Sequence, residues 1–223
     1  MTGPYRDHDI QREEEMRNME KRRKRIGLMG GTFDPVHIGH LILGEAAWRQ
    51  FALDEVWYMP AGNPPHKRDR AGRASDEQRV EMLRLAIESN PHFSLSMIEM
   101  NEDGYSYTYR TLERLREREP EVDWYFIMGA DSLTDFDTWR EPQRIADACH
   151  IVVATRNRMD SDSFEELLEK RRREYGDVFL RLDTPNLDVS SAHLREMIKN
   201  TESVRYYVPD PVLYYIHRKG LYD

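Results

Sequence analysis

The chain has 223 residues, 39% hydrophobic and 33% charged, and its 33 Lys and Arg against 41 Asp and Glu give a formal net charge of -8. That length fits one large domain with a full core, and the acidic balance disfavours non-specific binding to polyanions, which needs a basic excess. The lone Cys149 excludes an internal disulfide and reads as a small buried hydrophobe beside "HIVVA"; no run approaches the roughly 20 apolar residues of a membrane span, and no apolar signal core opens the chain, so a cytoplasmic protein is expected.

Residues 1–25 form a charged N-terminal extension, "REEEMRNMEKRRKR" among them. It reads as a solvated tail or a loosely docked helix, with a nucleic-acid or targeting signal in "KRRKR" as the alternative. From residue 26 to 223 a single domain is expected. "RIGLM" reads as a strand ending in glycines, and "GHLILGEAAWRQFAL" as a helix with apolar residues at helical spacing. "EVWYMP" is a strand stopped by Pro60. "SDEQRVEMLRLAIES" is a helix opened by a Ser75–Gln78 capping box. "FSLSMIEM" is a strand, "TYRTLERLRERE" a helix stopped near Pro120, and "DWYFIMGAD" a strongly buried strand. A short helix over Pro142–Ala148 precedes strand "HIVVATR". A Ser163–Glu166 capping box opens helix "SFEELLEKRRREYG", and "VFLRLDT" is the last strand. The helix "SSAHLREMIKN" has Ser190 or Ser191 at its cap. The closing helix "DPVLYYIHRKG" takes Asp210 as cap, Pro211 at its first position and Gly220 as stop.

Strands alternating with helices predict an α/β fold, a Rossmann-like doubly wound parallel sheet with flanking helices and a small C-terminal helical portion. Such sheets bind ligands at the carboxyl ends of their strands, near a topological switch point.

The stretch "MGGTFDPVHIGHL" sits at the end of the first strand and the start of the first helix. Gly30 and Gly31 let another atom approach the backbone closely. The following helix N-terminus suits phosphate. His37 and His40, three residues apart, share a face of the first turn and can donate hydrogen bonds to phosphate oxygens. A polyphosphate site is expected. A metal held by the two histidines is the alternative, without an HExxH pattern or a nearby cysteine to support zinc. Neither the G-x-G-x-x-G fingerprint nor the Walker loop is present.

"GGTFDPVHIGH" closely resembles the signature of the HxGH nucleotidyltransferase superfamily, which includes adenylyl- and cytidylyltransferases and, more distantly, class I aminoacyl-tRNA synthetases. "PPHK" (Pro64–Lys67), "YSYTYRTL" (Tyr105–Leu112), "GAD" (Gly129–Asp131), "TW" (Thr138–Trp139) and "VSSAHLR" (Val189–Arg195) follow in that order. The ordered set resembles the bacterial nicotinate-nucleotide adenylyltransferases from about Ile26 onward.

The resemblance implies a reaction in which ATP and nicotinate mononucleotide give deamido-NAD and pyrophosphate, in NAD biosynthesis. It implies that His37, His40 and Arg195 act on the ATP phosphates during transfer. Gly30, Gly31, Thr32 and Phe33 would bind ATP beside them, with Ser190 and Ser191 at a second helix N-terminus and Gly129 and Asp131 at the adenosine ribose. Trp139 would stack on the pyridine ring, with Arg140, Tyr107 and Thr108 near the nicotinate end and His66 and Lys67 on a Gly- and Pro-rich loop that is a lid or a plain connection. Mg²⁺ would arrive with ATP and bridge phosphates, without a dedicated metal cage in the protein. ATP and nicotinate mononucleotide are then the partners, with no nucleic acid and no membrane, and a homo-oligomer is left open. The pattern departs from the family at Arg110, at Ala192 and Leu194, and at Asn157 and Arg158. Arg110 either faces outward or adds positive charge near the acid group, and Ala192 removes one hydroxyl near the phosphates. Rival readings are an adenylyltransferase for nicotinamide mononucleotide or phosphopantetheine, and a non-catalytic nucleotide-binding module.

Overall fold

The computed structural model describes residues 22–62, 72–100, 105–155, 161–185 and 187–223. Six parallel strands form one sheet: β1 (Lys24–Gly31), β2 (Glu55–Pro60), β3 (Phe93–Leu95), β4 (Val122–Gly129), β5 (His150–Ala154) and β6 (Phe179–Leu182). Their order is β3-β2-β1-β4-β5-β6. The chain moves outward one way from β1, then returns to β1's other side with β4. The switch point therefore lies between the carboxyl ends of β1 and β4, where Gly30–Gly31 and Gly129 sit.

The connections are helical: α1 (Ile38–Gln50), α2 (Asp76–Ile87), α3 (Thr108–Arg118), α4 (Ala130–Thr134), α5 (Pro142–Ala146), α6 (Ser161–Tyr175), α7 (Ser191–Lys199) and α8 (Asp210–Lys219). Strand alternation divides the core into two layers. Tyr125 and Ile127 of β4 join Val56, Tyr58 and Val152 on the face that also buries Met82 and Leu83 of α2, Leu194 of α7 and Val212 of α8. Trp124, Phe126 and Met128 join Ile26, Leu28 and Ile151 on the other, with Leu112 of α3, Leu133 of α4 and Phe164 of α6. Cys149 is buried in this second layer, and burial pushes its thiol up to about 12, consistent with an unreactive packing residue.

The Ser75–Gln78 capping box is present in both directions: the Gln78 amide donates to Ser75 Oγ at 3.3 Å and the Ser75 amide to Gln78 Oε1 at 2.8 Å. Ser190 caps α7 by accepting from the His193 amide at 3.2 Å, and Gly220 ends α8 in the left-handed region. Four boundaries differ from the sequence expectation. β3 stops at Leu95 rather than Met100. The Ser96 amide still donates to the Tyr58 carbonyl, but the next rung needs an amide on residue 60, which is proline. β4 ends at Gly129, so Asp131 lies in the first turn of α4 rather than at a strand end. Helix α6 begins at Ser161, which puts Ser163 inside its first turn instead of at the cap. The last helix begins one residue early, with Pro209 as cap and Asp210 inside. No described helix is long and apolar enough to cross a membrane.

Candidate active site

The loop between β1 and α1 is built around close packing. Phe33 takes a left-handed backbone (φ 51°) and is only 1% exposed. Its ring folds back over Gly31, where a Cβ would come within 2.9 Å of it, and meets His40 edge-on at 4.9 Å between centroids. Phe33 thus sits behind the histidines as packing, rather than facing solvent as an ATP contact. His37 is the extended cap residue of α1 and 2% exposed; its ring stacks on that of His40 at 3.7 Å and 29°. Gly39 lies beneath the pair: a Cβ there would be 3.0 Å from His37 Nδ1.

The His37 backbone amide donates to His40 Nδ1 at 3.2 Å. Since Nδ1 accepts, a neutral His40 carries its proton on Nε2. Tyr58 reinforces the placement by donating from its hydroxyl to the His40 carbonyl at 3.2 Å. One expectation needs amending. The α1 amides are not all available to an anion, because Ile38 N–H donates to the Tyr207 carbonyl at 2.9 Å.

Arg195, one turn into α7, reaches the same loop. Its Nη1 donates to the Asp34 carbonyl at 2.6 Å and lies 3.8 Å from Asp34 Oδ2. Ser191 donates from Oγ to the Pro35 carbonyl at 2.9 Å. Two residues of α7 are therefore fastened within three positions of His37, and α7 delivers its guanidinium to the histidine end of the sheet. Asp34, 1% exposed, is the anchor: its Oδ1 accepts from the Ala74 amide at 3.2 Å and from the Tyr222 hydroxyl at 2.6 Å. Burial, together with the negative charge of Asp34, drives the Tyr222 phenol far above its ordinary value. Beyond Arg195 lies a cavity of about 450 Å³ whose wall mixes Arg73, Arg195 and Lys199 with Glu196 and Asp223. The position where a hydroxyl is missing, Ala192, faces this cavity.

A second cavity, of about 340 Å³, opens at the β1 tip. Gly30, Gly31 and Thr32 form one wall, and Tyr107, Thr108, Trp139 and Arg140 are also in its lining, so the structure brings these residues together. Trp139 is half-buried and touches Phe126 and Phe136 edgewise or tilted, at 6.0 and 5.8 Å. The Arg140 guanidinium lies 5.2 Å from the Tyr107 ring centre. Arg110 is exposed and packs over the Tyr107 and Tyr109 rings, so it belongs to the outer helix face rather than the cavity. Gly129 ends β4 at the switch point, and Asp131 is exposed on the adjoining turn, outside this cavity's wall. His66, Lys67, Asn157 and Arg158 lie outside the described residues, as do residues 1–21.

Sequence reasoning missed three groups. Glu99 and Ser106 line the second cavity and are buried. The Glu99 carboxyl is pushed up by burial, and this is partly offset by hydrogen bonds from Thr111 Oγ1 at 2.8 Å and from the Gly62 amide. Arg79, 4% exposed, donates to the Thr32 carbonyl at 2.6 Å and the Ala61 carbonyl at 2.8 Å, tying the tips of β1 and β2 together. A signal for Arg79 was available: it falls on the period of Met82, Leu83 and Ala86, the buried face of α2.

A cytidylyltransferase-like family profile matches residues 28–197. A protein of Desulfitobacterium hafniense strain Y51, named probable nicotinate-nucleotide adenylyltransferase, is 42% identical over 199 residues, covering 89% of this chain and 96% of its own. A Synechococcus protein (strain JA-3-3Ab) of the same name is 41% identical over 203 residues, covering 91% and 97%. Among solved structures, Plasmodium falciparum nicotinic acid mononucleotide adenylyltransferase complexed with NaAD superposes with a TM-score of 0.75 at 21% identity, covering 90% of this chain and 98% of that one, which speaks to the fold. Sheet order, the stacked histidines over a glycine and relatives at this identity across nearly the whole chain agree: the chain belongs to the nicotinate-nucleotide adenylyltransferases of the cytidylyltransferase-like family.

Proposed function

We propose that this chain transfers the adenylyl group of ATP to nicotinate mononucleotide, forming deamido-NAD and pyrophosphate, with ATP phosphates between the histidine pair and Arg195 and the pyridine ring in the cavity beside Trp139. One observation supports this most directly. Gly30, Gly31 and Thr32 face the second cavity at the β1 tip, and the next residues of the same loop carry the stacked His37 and His40. A ligand on each side would meet at that tip.

In the reaction, a phosphate oxygen of the mononucleotide attacks the α-phosphorus of ATP. The bond from that phosphorus to the bridging oxygen breaks, and the electron pair leaves on pyrophosphate. A phosphate monoester is already ionised at neutral pH, so the protein needs neither a nucleophile nor a strong base. Its work is to hold two anions together and to stabilise charge on the transferring group. His40 Nε2–H and the Arg195 guanidinium supply that stabilisation from fixed positions, the first set by the His37 amide and the second by the Asp34 carbonyl. Ser190 Oγ accepts from the His193 amide in capping α7, so its own O–H can still donate to an anion beside the helix end. Asp131 is the acceptor for the adenosine ribose, and Trp139 offers its ring to the pyridine. Mg²⁺ would arrive with ATP and screen its phosphate charge.

The test is pyrophosphate release from ATP with the nicotinate and the nicotinamide mononucleotide in parallel, for the native chain and for His40→Ala. The native chain turns over the acid far faster than the amide. His40→Ala loses about a hundredfold or more in kcat, the scale of a removed transition-state donor, with an unchanged melting temperature. Preference for the amide overturns the substrate, and near-native turnover of the variant overturns the role of His40.

A further inference from the structure

Behind the Trp139 wall lies a charge that the reaction does not touch. Arg171, on α6, is 2% exposed. Its Nε and Nη2 donate to the Leu133 carbonyl at 3.3 and 3.2 Å, and Nη2 also reaches the Thr134 carbonyl at 3.1 Å. These are last-turn carbonyls of α4, which a helix end leaves without partners. Nη1 donates to Glu174 Oε2 at 2.8 Å and pairs with the Asp137 carboxylate. Tyr175 donates to the other Asp137 oxygen at 2.7 Å. Asp137 is two residues before Trp139, inside the 3-10 turn Phe136–Thr138, and the Trp139 amide closes that turn on the Phe136 carbonyl at 3.1 Å. The Phe136 ring, fully buried, fills the space between Trp139, Tyr175 and Phe179.

We propose that Arg171 is a positioning residue for the pyridine end of the site: its planar fork clamps the end of α4 and Asp137 at once, fixing the turn that presents Trp139 and Arg140. The inference rests on the reading of Trp139 as the stacking surface. Only guanidinium chemistry does this, because one group must satisfy two carbonyls and a carboxylate in different directions. A lysine keeps the charge but has a single compact head. Asp131, by contrast, stands in the first turn of α4, next to the end of β4, and the hydrogen bonds of Arg171 go to Leu133, Thr134, Asp137 and Glu174 instead. The clamp therefore acts on the second substrate more than on ATP.

The experiment measures KM for each substrate and kcat for Arg171→Lys, Trp139→Ala and the double variant. Arg171→Lys raises KM for nicotinate mononucleotide about fivefold, the lower end of what one stacked ring contributes. Its KM for ATP and its kcat stay within about twofold of native, the margin of additivity between independent sites. In the Trp139→Ala background the same change adds no more than that margin. A native KM for the mononucleotide in Arg171→Lys, or an equal rise with and without Trp139, overturns the clamp. A native KM in Trp139→Ala alone overturns the stacking reading instead. Should Arg171→Lys fail to fold, Asp137→Asn decides: it leaves the carbonyl contacts in place, and a rise of about threefold, less than the loss of the whole clamp, supports the proposal, while no rise overturns it.

Discussion

Gly39 shows how a single missing atom serves chemistry rather than backbone freedom. It lies in the first turn of α1 with an ordinary backbone, so alanine there is conformationally allowed, and helix propensity favours alanine by about 1 kcal/mol. What forbids it is the His37 ring 3.0 Å from the added methyl. Gly39→Ala should therefore hold or raise the melting temperature while lowering kcat at least about tenfold, since a displaced ring spoils a preorganised donor. A fall in both, or in neither, would contradict this account. The spacing of His37 and His40 was readable from residue types, as was the need for a small residue at Gly31, whereas Gly30 has room for a Cβ at ordinary contact distance. That the Asp34 carboxylate and carbonyl together anchor Tyr222, Ala74 and Arg195 was not: in sequence, Asp-Pro looks only like a turn, and the partners are up to 188 positions away.

Local signals placed some element ends and missed others: the Ser163 box and the Asp210 cap both fell inside their helices. The Ser75 box, the Ser190 cap and the Gly220 stop are local hydrogen-bond or dihedral requirements, and all three are in place. β3 was misjudged because its length is set by a neighbour, Pro60, rather than by its own apolar run. The residues beyond β3 turn instead and bring Glu99 against α3 and the end of β2, where Thr111 and Gly62 hold it. Burial raises its folded-state pKa above the ordinary carboxyl value of about 4.3. The sign follows: the stabilising contribution of a raised carboxyl is fully present below its unfolded value and is lost as pH climbs through the folded one. Glu99→Gln cannot ionise, so its melting temperature relative to native should improve as pH rises above the ordinary carboxyl value and level off once the folded-state carboxyl has ionised. A difference that stays constant as pH rises would show that Glu99 has an ordinary pKa.

Across the whole molecule, the strand order puts a switch point at the carboxyl ends of β1 and β4, as alternating strands and helices led one to expect, and one cavity opens there beside Gly30, Gly31 and Thr32. The lateral ties were not foreseeable, because they join segments remote in sequence. Tyr222 is the furthest of them. Tyr222→Phe strips a donor from the buried Asp34 Oδ1, whose companion Oδ2 already accepts no hydrogen bond, and costs about 1–3 kcal/mol. It should lower the melting temperature by several degrees, on the order of 2–4 °C per kcal/mol for this size, and reduce kcat by loosening Arg195. A stability loss with native kcat would confine Tyr222 to packing. The four-residue bend Phe33–Val36 has a consequence for folding. It is tethered to segments beginning at Ala74, Ser191 and Tyr222, and the neighbouring Ile38 to Tyr207. Until the stretches carrying Ser191 and Tyr222 have docked, the bend lacks those moorings, so its histidine end reaches full rigidity late in folding, after segments remote in the chain have come together.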